Sequence, residues 1–157
     1  MSSIISIVIV VFVISAVLLT VLSCASNPPN VQLADGRLRA CPKSPNCVSS
    51  ESDSPGSRIE PLTFKAPPEK AWGDLKETMR EMGGKIEEEH DGYLWATFTS
   101  RVFRFVDDVE FRMVSTDGII HVRSGSRKGY SDLGVNRRRV EKLRTIFNQK
   151  KDQGAGR

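Results

Sequence analysis

The sequence predicts an α+β domain: an antiparallel sheet of about four to five strands with an N-terminal and a C-terminal helix packed on one face. Three observations carry that prediction. Two segments, residues 69–82 and 132–149, repeat apolar side chains at helical spacing. Between them lie short runs in which apolar and polar residues alternate, separated by turn residues. The order helix, strands, helix with short links implies an antiparallel sheet with helices on one side.

Before the domain comes an apolar leader. The chain has 157 residues, 39% hydrophobic and 27% charged, which suits one domain and excludes wholesale disorder. Residues 1–34 contain no Asp, Glu, Lys or Arg, so every charge lies behind them. Residues 4–22 are interrupted only by Ser6, Ser15, Ala16 and Thr20. At about 1.5 Å per residue they make roughly 28 Å of helix, close to the thickness of a bilayer's hydrocarbon core. A central helix of a soluble fold would carry a polar stripe, and this segment has none. Two membrane readings stand. Val21-Leu22-Ser23-Cys24 resembles the lipobox of bacterial lipoproteins, which makes Cys24 the lipid attachment site; Leu22 is bulkier than the usual small residue, and no basic residue precedes the apolar core. The alternative is an uncleaved transmembrane anchor. The chain then divides into a signal peptide or anchor (1–23), a tether (24–37), the domain (38–149) and a polar tail (150–157).

Orientation rests on the cysteines. Arg37, Arg39 and Lys43 follow the apolar segment and by the positive-inside rule favour a cytoplasmic domain, but they lie 15 or more residues beyond it. Cys41 and Cys47 enclose Pro42-Lys43-Ser44-Pro45-Asn46, a stretch rich in turn formers. In an exported protein such a pair closes a small disulfide loop, and an even pair remaining after lipidation suits an oxidising compartment. Free thiols are the alternative. A zinc site would need more thiolates or closely spaced histidines than His90 and His121 supply.

The elements follow in order. Residues 48–68, rich in Ser, Pro and acidic side chains, read as an irregular approach. The helix over 69–82 has Pro67 and Pro68 at its start, Glu69 in its first turn and Gly83-Gly84 as its stop, with Trp72, Leu75, Met79 and Met82 on one stripe. Residues 85–90 and 93–99 flank Asp91-Gly92, a favoured type I′ hairpin turn. A third strand is expected over 102–106. Residues 108–114 set Val109, Phe111 and Met113 against Asp108, Glu110 and Arg112 on the other side. After a turn at 115–118 comes a strand over 119–123. The last helix, 132–149, turns Val140, Leu143, Ile146 and Phe147 inward and takes Asp132 as its N-cap, which offsets the cost of three arginines in the first turns, about 0.3–1 kcal/mol each.

Charge is segregated: residues 69–91 carry eight acidic and four basic side chains, residues 123–157 eleven basic and three acidic. Within the basic half, Ser124, Ser126, Arg127 and the arginines at 137 and 139 could build an anion site from hydroxyls, backbone N–H groups and guanidinium. The competing reading is a pair network around Asp132 with a solvated basic face, Arg137 and Glu141 pairing at i,i+4. No Gly-x-Ser-x-Gly elbow, Walker loop or His-Glu-x-x-His motif is present. Asp107 and Asp108 point to opposite faces of a strand and make no carboxylate pair; Asp108 and Glu110 share a face, where Arg112 could neutralise them. His121 reads as a structural strand residue. Tyr93 and Trp95 either line a shallow groove near His121 or pack under residues 48–68.

Three ordered stretches, Cys41-Pro42-Lys43-Ser44-Pro45-Asn46-Cys47-Val48-Ser49-Ser50, Phe105-Val106-Asp107-Asp108-Val109-Glu110-Phe111-Arg112, and Arg123-Ser124-Gly125-Ser126-Arg127 through Asp132-Leu133-Gly134-Val135-Asn136-Arg137, resemble the DUF1499 family over residues 38–149. The resemblance implies an exported or membrane-associated protein without assigned activity. It directs attention to the cysteine loop, the Asp107-Asp108 segment and residues 123–139, and raises the possibility that they meet on one surface, Asp107 or Asp108 pairing with Arg127 or Arg137. The candidate cluster for a polar or anionic ligand is thus Asp107, Asp108, Arg123, Ser124, Ser126, Arg127, Asp132, Asn136, Arg137 and Arg139. No catalytic residue, cofactor or metal is expected. The expected setting is the bacterial cell envelope, the domain on the periplasmic or extracellular side of a membrane that holds it by lipid or anchor. Export excludes nucleic acid as a partner. Anionic lipid, met through the C-terminal helix, and a small anionic ligand remain, and the sequence names no protein partner. A non-enzymatic binding or envelope-structural lipoprotein is the first reading. A small-molecule-binding or enzymatic domain is the second, and convergence of Arg127, Asp132 and His121 in a deep pocket would favour it.

Overall fold

A computed structural model of the chain describes residues 6, 7, 9, 10, 30–100 and 104–154, the last four by their backbone alone. Cys24 and most of the expected leader lie outside the described residues. Among those described, no helix is long and apolar enough to cross a membrane.

The domain is an antiparallel sheet with two helices. In chain order the elements are β1 (Leu33–Ala34), β2 (Arg37–Leu38), β3 (Cys47–Ser49), β4 (Leu62–Thr63), α1 (Pro68–Glu81), β5 (Lys85–His90), β6 (Tyr93–Thr99), β7 (Val106–Val114), β8 (Ile119–Ser126) and α2 (Val135–Gly154). A single 3₁₀ turn, Ser115–Asp117, joins β7 to β8. The main sheet runs β3-β8-β7-β6-β5, and β4 adds to the same edge of β8 as β3. β1 and β2 form a separate two-stranded hairpin.

The β5–β6 hairpin follows from its turn. Asp91 and Gly92 adopt φ of 41° and 75°, the left-handed pair that a type I′ turn requires, and His90 faces Tyr93 across it. The sheet has six strands rather than four to five, because the stretch expected to be irregular supplies β3 and β4. Strands of two or three residues are too short for alternation to reveal them. The helix placed at the domain's N-terminal end therefore stands in the middle of the element order, behind four short strands. The strand expected over 102–106 is not formed by its described residues: Arg104, at φ 55°, and Phe105 lie outside any strand, and Val106 opens β7.

α2 starts three residues later than its expected N-cap. Leu133 and Gly134 have φ of 53° and 77°, so helical geometry begins only at Val135. Asp132 still caps from outside: its Oδ1 accepts the Gly134 N–H at 2.8 Å and its Oδ2 the Asn136 N–H at 2.7 Å. That carboxylate offsets the positive helix end, where Arg137, Arg138 and Arg139 follow. The helix continues past 149, and Lys150 reaches Glu77 and Glu81 of α1, each at 3.2 Å.

The alternation of the strands sorts side chains onto two faces. Leu94, Ala96, Val109, Phe111, Ile120 and Val122 meet Leu75 and Met79 of α1 and Val140, Leu143 and Phe147 of α2 in one buried core. Each large side chain so buried contributes about 1.5–3 kcal/mol. Trp72 and Met82 pack at its margin, and the Trp72 indole N–H donates to Glu89. Ile146 is half-buried. The opposite face is polar, and the described part of the expected tether lies on it: Val31 is buried, as is Leu38 just after the tether, and Gln32 bonds to side chains of β6 and β7.

Candidate functional site

Register decides which charged groups meet. β6, β7 and β8 align Trp95 with Glu110 and Arg123 in one row, and Thr97 with Asp108 and Gly125 in the next. These side chains share the polar face; Asp107, Ser124 and Ser126 alternate to the side covered by α2. The candidate cluster is therefore split by the sheet.

On the polar face, Glu110 is fully buried. Its Oε2 accepts Arg123 Nη1 at 2.7 Å, and its Oε1 accepts the Tyr93 hydroxyl at 2.8 Å and the Gln32 N–H at 2.9 Å. Burial pushes the Glu110 carboxyl above its ordinary value of 4.5, opposed chiefly by Arg123 and then by Tyr93. Burial and the neighbouring Glu110 push the Tyr93 phenol far up. One row on, Arg127 grips Asp108 with two parallel bonds, Nε–Oδ2 at 2.9 Å and Nη2–Oδ1 at 2.8 Å. The Trp95 indole N–H donates to the same Oδ1, and the Arg127 guanidinium lies 5.9 Å from the Trp95 ring centre. The hydrogen bonds that Arg127 donates to the Asp108 carboxylate raise its pKa further.

Between this row and the cysteine loop lies a cavity of about 170 Å³, lined by Asn30, Pro42, Asn46, Cys47, Asp108, Arg123, Gly125, Ser126 and Arg127. Cys41 and Cys47 are joined by a disulfide, and Cys47 lines the cavity. Gly125 keeps the cavity open, since a Cβ there would lie 3.3 Å from the Cys47 sulfur. Among the described residues Arg123 Nε is buried without a hydrogen-bond partner.

The other half of the cluster ties α2 to the sheet. Asn136 is fully buried and uses all its hydrogen-bonding capacity. Its Oδ1 accepts the Ser124 hydroxyl and Arg139 Nη1, both at 2.6 Å; its Nδ2 donates to Asn46 O at 3.0 Å and Ser126 Oγ at 2.9 Å. Arg139 also holds Asp107 at 2.5 Å and lies 4.8 Å from the Phe98 ring centre. Asp107 thus pairs with Arg139 and Asp108 with Arg127. Arg137 reaches neither aspartate and donates to Gly56 O at 3.0 Å. Glu141 pairs with Arg144, not with Arg137.

Glu51 was not foreseen as a hub. Its carboxylate accepts Arg112 Nη2 and the Leu38 N–H, and Arg37 lies within 3.8 Å. Arg112 is thereby drawn to Glu51 instead of neutralising Asp108 and Glu110. Ser50 and His121 stand beside it, Ser50 Oγ 3.1 Å from His121 Nδ1, and Glu51 3.7 Å from Nε2. The resemblance to a serine–histidine–carboxylate relay is superficial, because Ser50 Oγ accepts the Val122 N–H and Glu51 is held by other donors. Burial pushes the His121 imidazole below its ordinary value, so it is neutral at pH 7. Tyr93 is buried, and the Gln32 N–H donates to its hydroxyl, while Trp95 remains half-exposed. Among the described residues no three His, Cys, Asp or Glu side chains converge to hold a metal.

A family described as "Protein of unknown function (DUF1499)" matches residues 37–147. No curated protein and no solved structure matches the chain.

Proposed function

The chain belongs to the DUF1499 family, and from that premise and the geometry of the cluster we propose that it is a non-enzymatic binding or structural lipoprotein of the bacterial cell envelope. It is held at a membrane through Cys24 or through an uncleaved N-terminal anchor, with the domain on the periplasmic or extracellular side. One observation supports the reading over catalysis: the charged cluster is engaged with itself. Asp107, Asp108, Glu110, Arg123, Arg127 and Arg139 each have an oppositely charged partner at 2.5–2.9 Å. Arg127, Asp132 and His121 sit at three separate places, on the cavity, at the start of α2 and beside Glu51. The Cys41–Cys47 disulfide suits an oxidising compartment. Mass spectrometry of the protein extracted from native membranes tests the proposal. A diacylated N-terminal Cys24, or an intact leader in the membrane fraction, with Cys41 and Cys47 oxidised is the expected result. Full-length protein recovered from the reducing cytosol with free thiols would overturn it.

A second reading has its own observation. Arg123 and Arg127 both line the 170 Å³ cavity, and two guanidinium groups on one small cavity suit a small carboxylate or phosphate. Full-length protein titrated with acetate or inorganic phosphate would then gain about 2.7 kcal/mol at a hundred times the dissociation constant. An unchanged melting temperature at high millimolar anion rules the cavity out as an anion site.

A further inference from the structure

Asn30 lines the cavity beside Ser126 and Arg127, and the chain continues from Arg127 into the loop of residues 127–134. That loop is fixed to the cavity wall by Asn46, whose Nδ2 donates to Gly129 O at 2.7 Å. Tethering at Cys24 leaves six peptide steps to Asn30, which span at most about 20 Å. The end of the domain that carries this loop is therefore the end held nearest the membrane.

The loop is built unlike a solvated turn. Tyr130 is 78% exposed and Leu133 84% exposed, with Val135 partly exposed behind them. Leu133 holds φ of 53°, a left-handed conformation that suits Asn or Gly far better than Leu. The fold gains nothing visible from this choice: the residue is neither buried nor in a comfortable conformation. Its backbone is locked in place all the same, the N–H by Ser131 Oγ at 3.2 Å and the carbonyl by Arg138 Nη1 at 2.9 Å. Lys128 and Arg138 flank the two apolar side chains in sequence, and the one acidic residue between them, Asp132, is turned onto the N–H groups of Gly134 and Asn136. An aromatic and an aliphatic tip between cations is the composition of a surface that enters a headgroup layer.

Resting on the membrane-tethered reading above, we propose that this loop is the domain's contact with the lipid surface. Tyr130 and Leu133 enter the headgroup region, and Lys128 and Arg138 meet the phosphates of anionic lipid. The C-terminal helix, whose inner face is packed in the core, contributes only its first turn.

The test uses the full-length chain reconstituted into vesicles of phosphatidylcholine, with or without one third phosphatidylglycerol. A Tyr130→Trp substitution, conservative at so exposed a site, reports the loop's surroundings by the emission it adds to that of Trp72 and Trp95. In anionic vesicles the added emission should shift to the blue and be quenched by brominated lipid, and high salt should reverse both. Replacing Lys128 by Gln should lower the contact equilibrium about fivefold. Leu133→Asn in the Tyr130→Trp background should abolish the quenching without lowering the melting temperature, since Asn accepts the left-handed backbone. If the protein floats with the vesicles while the added emission stays water-like and insensitive to brominated lipid, the loop proposal is wrong and the tether stands. If the protein does not float with the vesicles at all, the tether is wrong and the loop proposal goes with it.

Discussion

Removing one partner of the Glu110–Arg123 pair should have a different consequence depending on which partner goes. The pair is sealed, Glu110 fully and Arg123 almost fully buried. Breaking a buried pair leaves an uncompensated charge, at a cost of about 3–5 kcal/mol. Arg123→Met strands a carboxylate, which has an escape: it can take up a proton. Moving protonation from an ordinary 4.5 to pH 7 costs about 3.4 kcal/mol, at 1.36 kcal/mol per pH unit. That figure is a ceiling on the electrostatic loss at pH 7, and it falls to nothing as the pH approaches 4.5. Glu110→Gln strands a guanidinium, which has no such escape, because arginine stays protonated throughout.

The sign follows from the direction of the shift. Burial raises the folded Glu110 carboxyl above its ordinary value, so its contribution to stability is complete below that value and is lost as the pH rises through the folded one. Without Arg123, the strongest group opposing that rise, the window widens upward. Urea unfolding at pH 7, 6 and 5 reads the effect, with the Arg123→Met/Glu110→Gln double variant as reference for all other titrations. Relative to it, Arg123→Met should recover by up to about 3 kcal/mol on acidification, while Glu110→Gln stays low across the range. The double variant should be more stable at pH 7 than Glu110→Gln alone. Equal losses for Arg123→Met at pH 7 and pH 5, or a loss under about 1 kcal/mol for Glu110→Gln, would refute the reasoning.

Three further outcomes are expected. Replacing both Cys41 and Cys47 by Ser opens a seven-residue loop and should lower stability by about 2 kcal/mol, measured by urea unfolding with and without reductant; reductant should leave the variant unaffected. Asn136→Ala removes four hydrogen bonds from a fully buried site and should cost about 3 kcal/mol, whereas Arg137→Ala, on an exposed edge, should fall within about 0.5 kcal/mol of the parent. Gly118→Ala should cost about 2–3 kcal/mol in thermal unfolding, because Gly118 holds φ of 63° and a Cβ would lie 2.7 Å from the Phe64 carbonyl oxygen.

The parts of the fold legible in the sequence are those in which local preference and burial agree. Asp91-Gly92 can satisfy its own turn, the 108–114 alternation matches a strand with one core face, and Leu75, Met79, Val140, Leu143 and Phe147 repeat at helical spacing. β1 to β4 escaped because two or three residues hold too little pattern and are fixed by their partners. The pairings of the cluster were obscure for a related reason. Arg112 sits two residues from Glu110 on the same strand, about 7 Å away, whereas Arg123 stands directly opposite at about 5 Å. Only the β7–β8 register brings out the second distance. The same register places Gly125 opposite Asp108, so Arg127, two residues on and on the same face, can fold back to reach it. Asp107, alternating to the other side, finds Arg139 on a helix 32 residues away. Glu51 and Gln32 carried no signal at all and Ser50 only that of standing in a resemblance stretch, since their partners come from other segments.

Gln32 shows how far the sealing of that charged pair depends on chain that precedes the matched region. The family match begins at residue 37, yet Gln32 donates its N–H to both Glu110 and the Tyr93 hydroxyl, from a φ of 86° that a non-glycine residue rarely adopts. The strained backbone is held because a buried carboxylate needs that donor. Two substitutions that both remove the side chain separate the two contributions. Gln32→Gly keeps the N–H and relieves the strain, and should leave stability unchanged or raise it by up to about 1 kcal/mol. Gln32→Pro deletes the donor and forbids the positive φ, so it should lift residues 31–34 and cost about 3 kcal/mol. Hydrogen exchange at residues of β6 and β7 reads the exposure directly. If the proline variant matched the glycine variant in stability and exchange, the segment before residue 37 would be a passive tether and the Glu110–Arg123 pair would be sealed by the sheet alone.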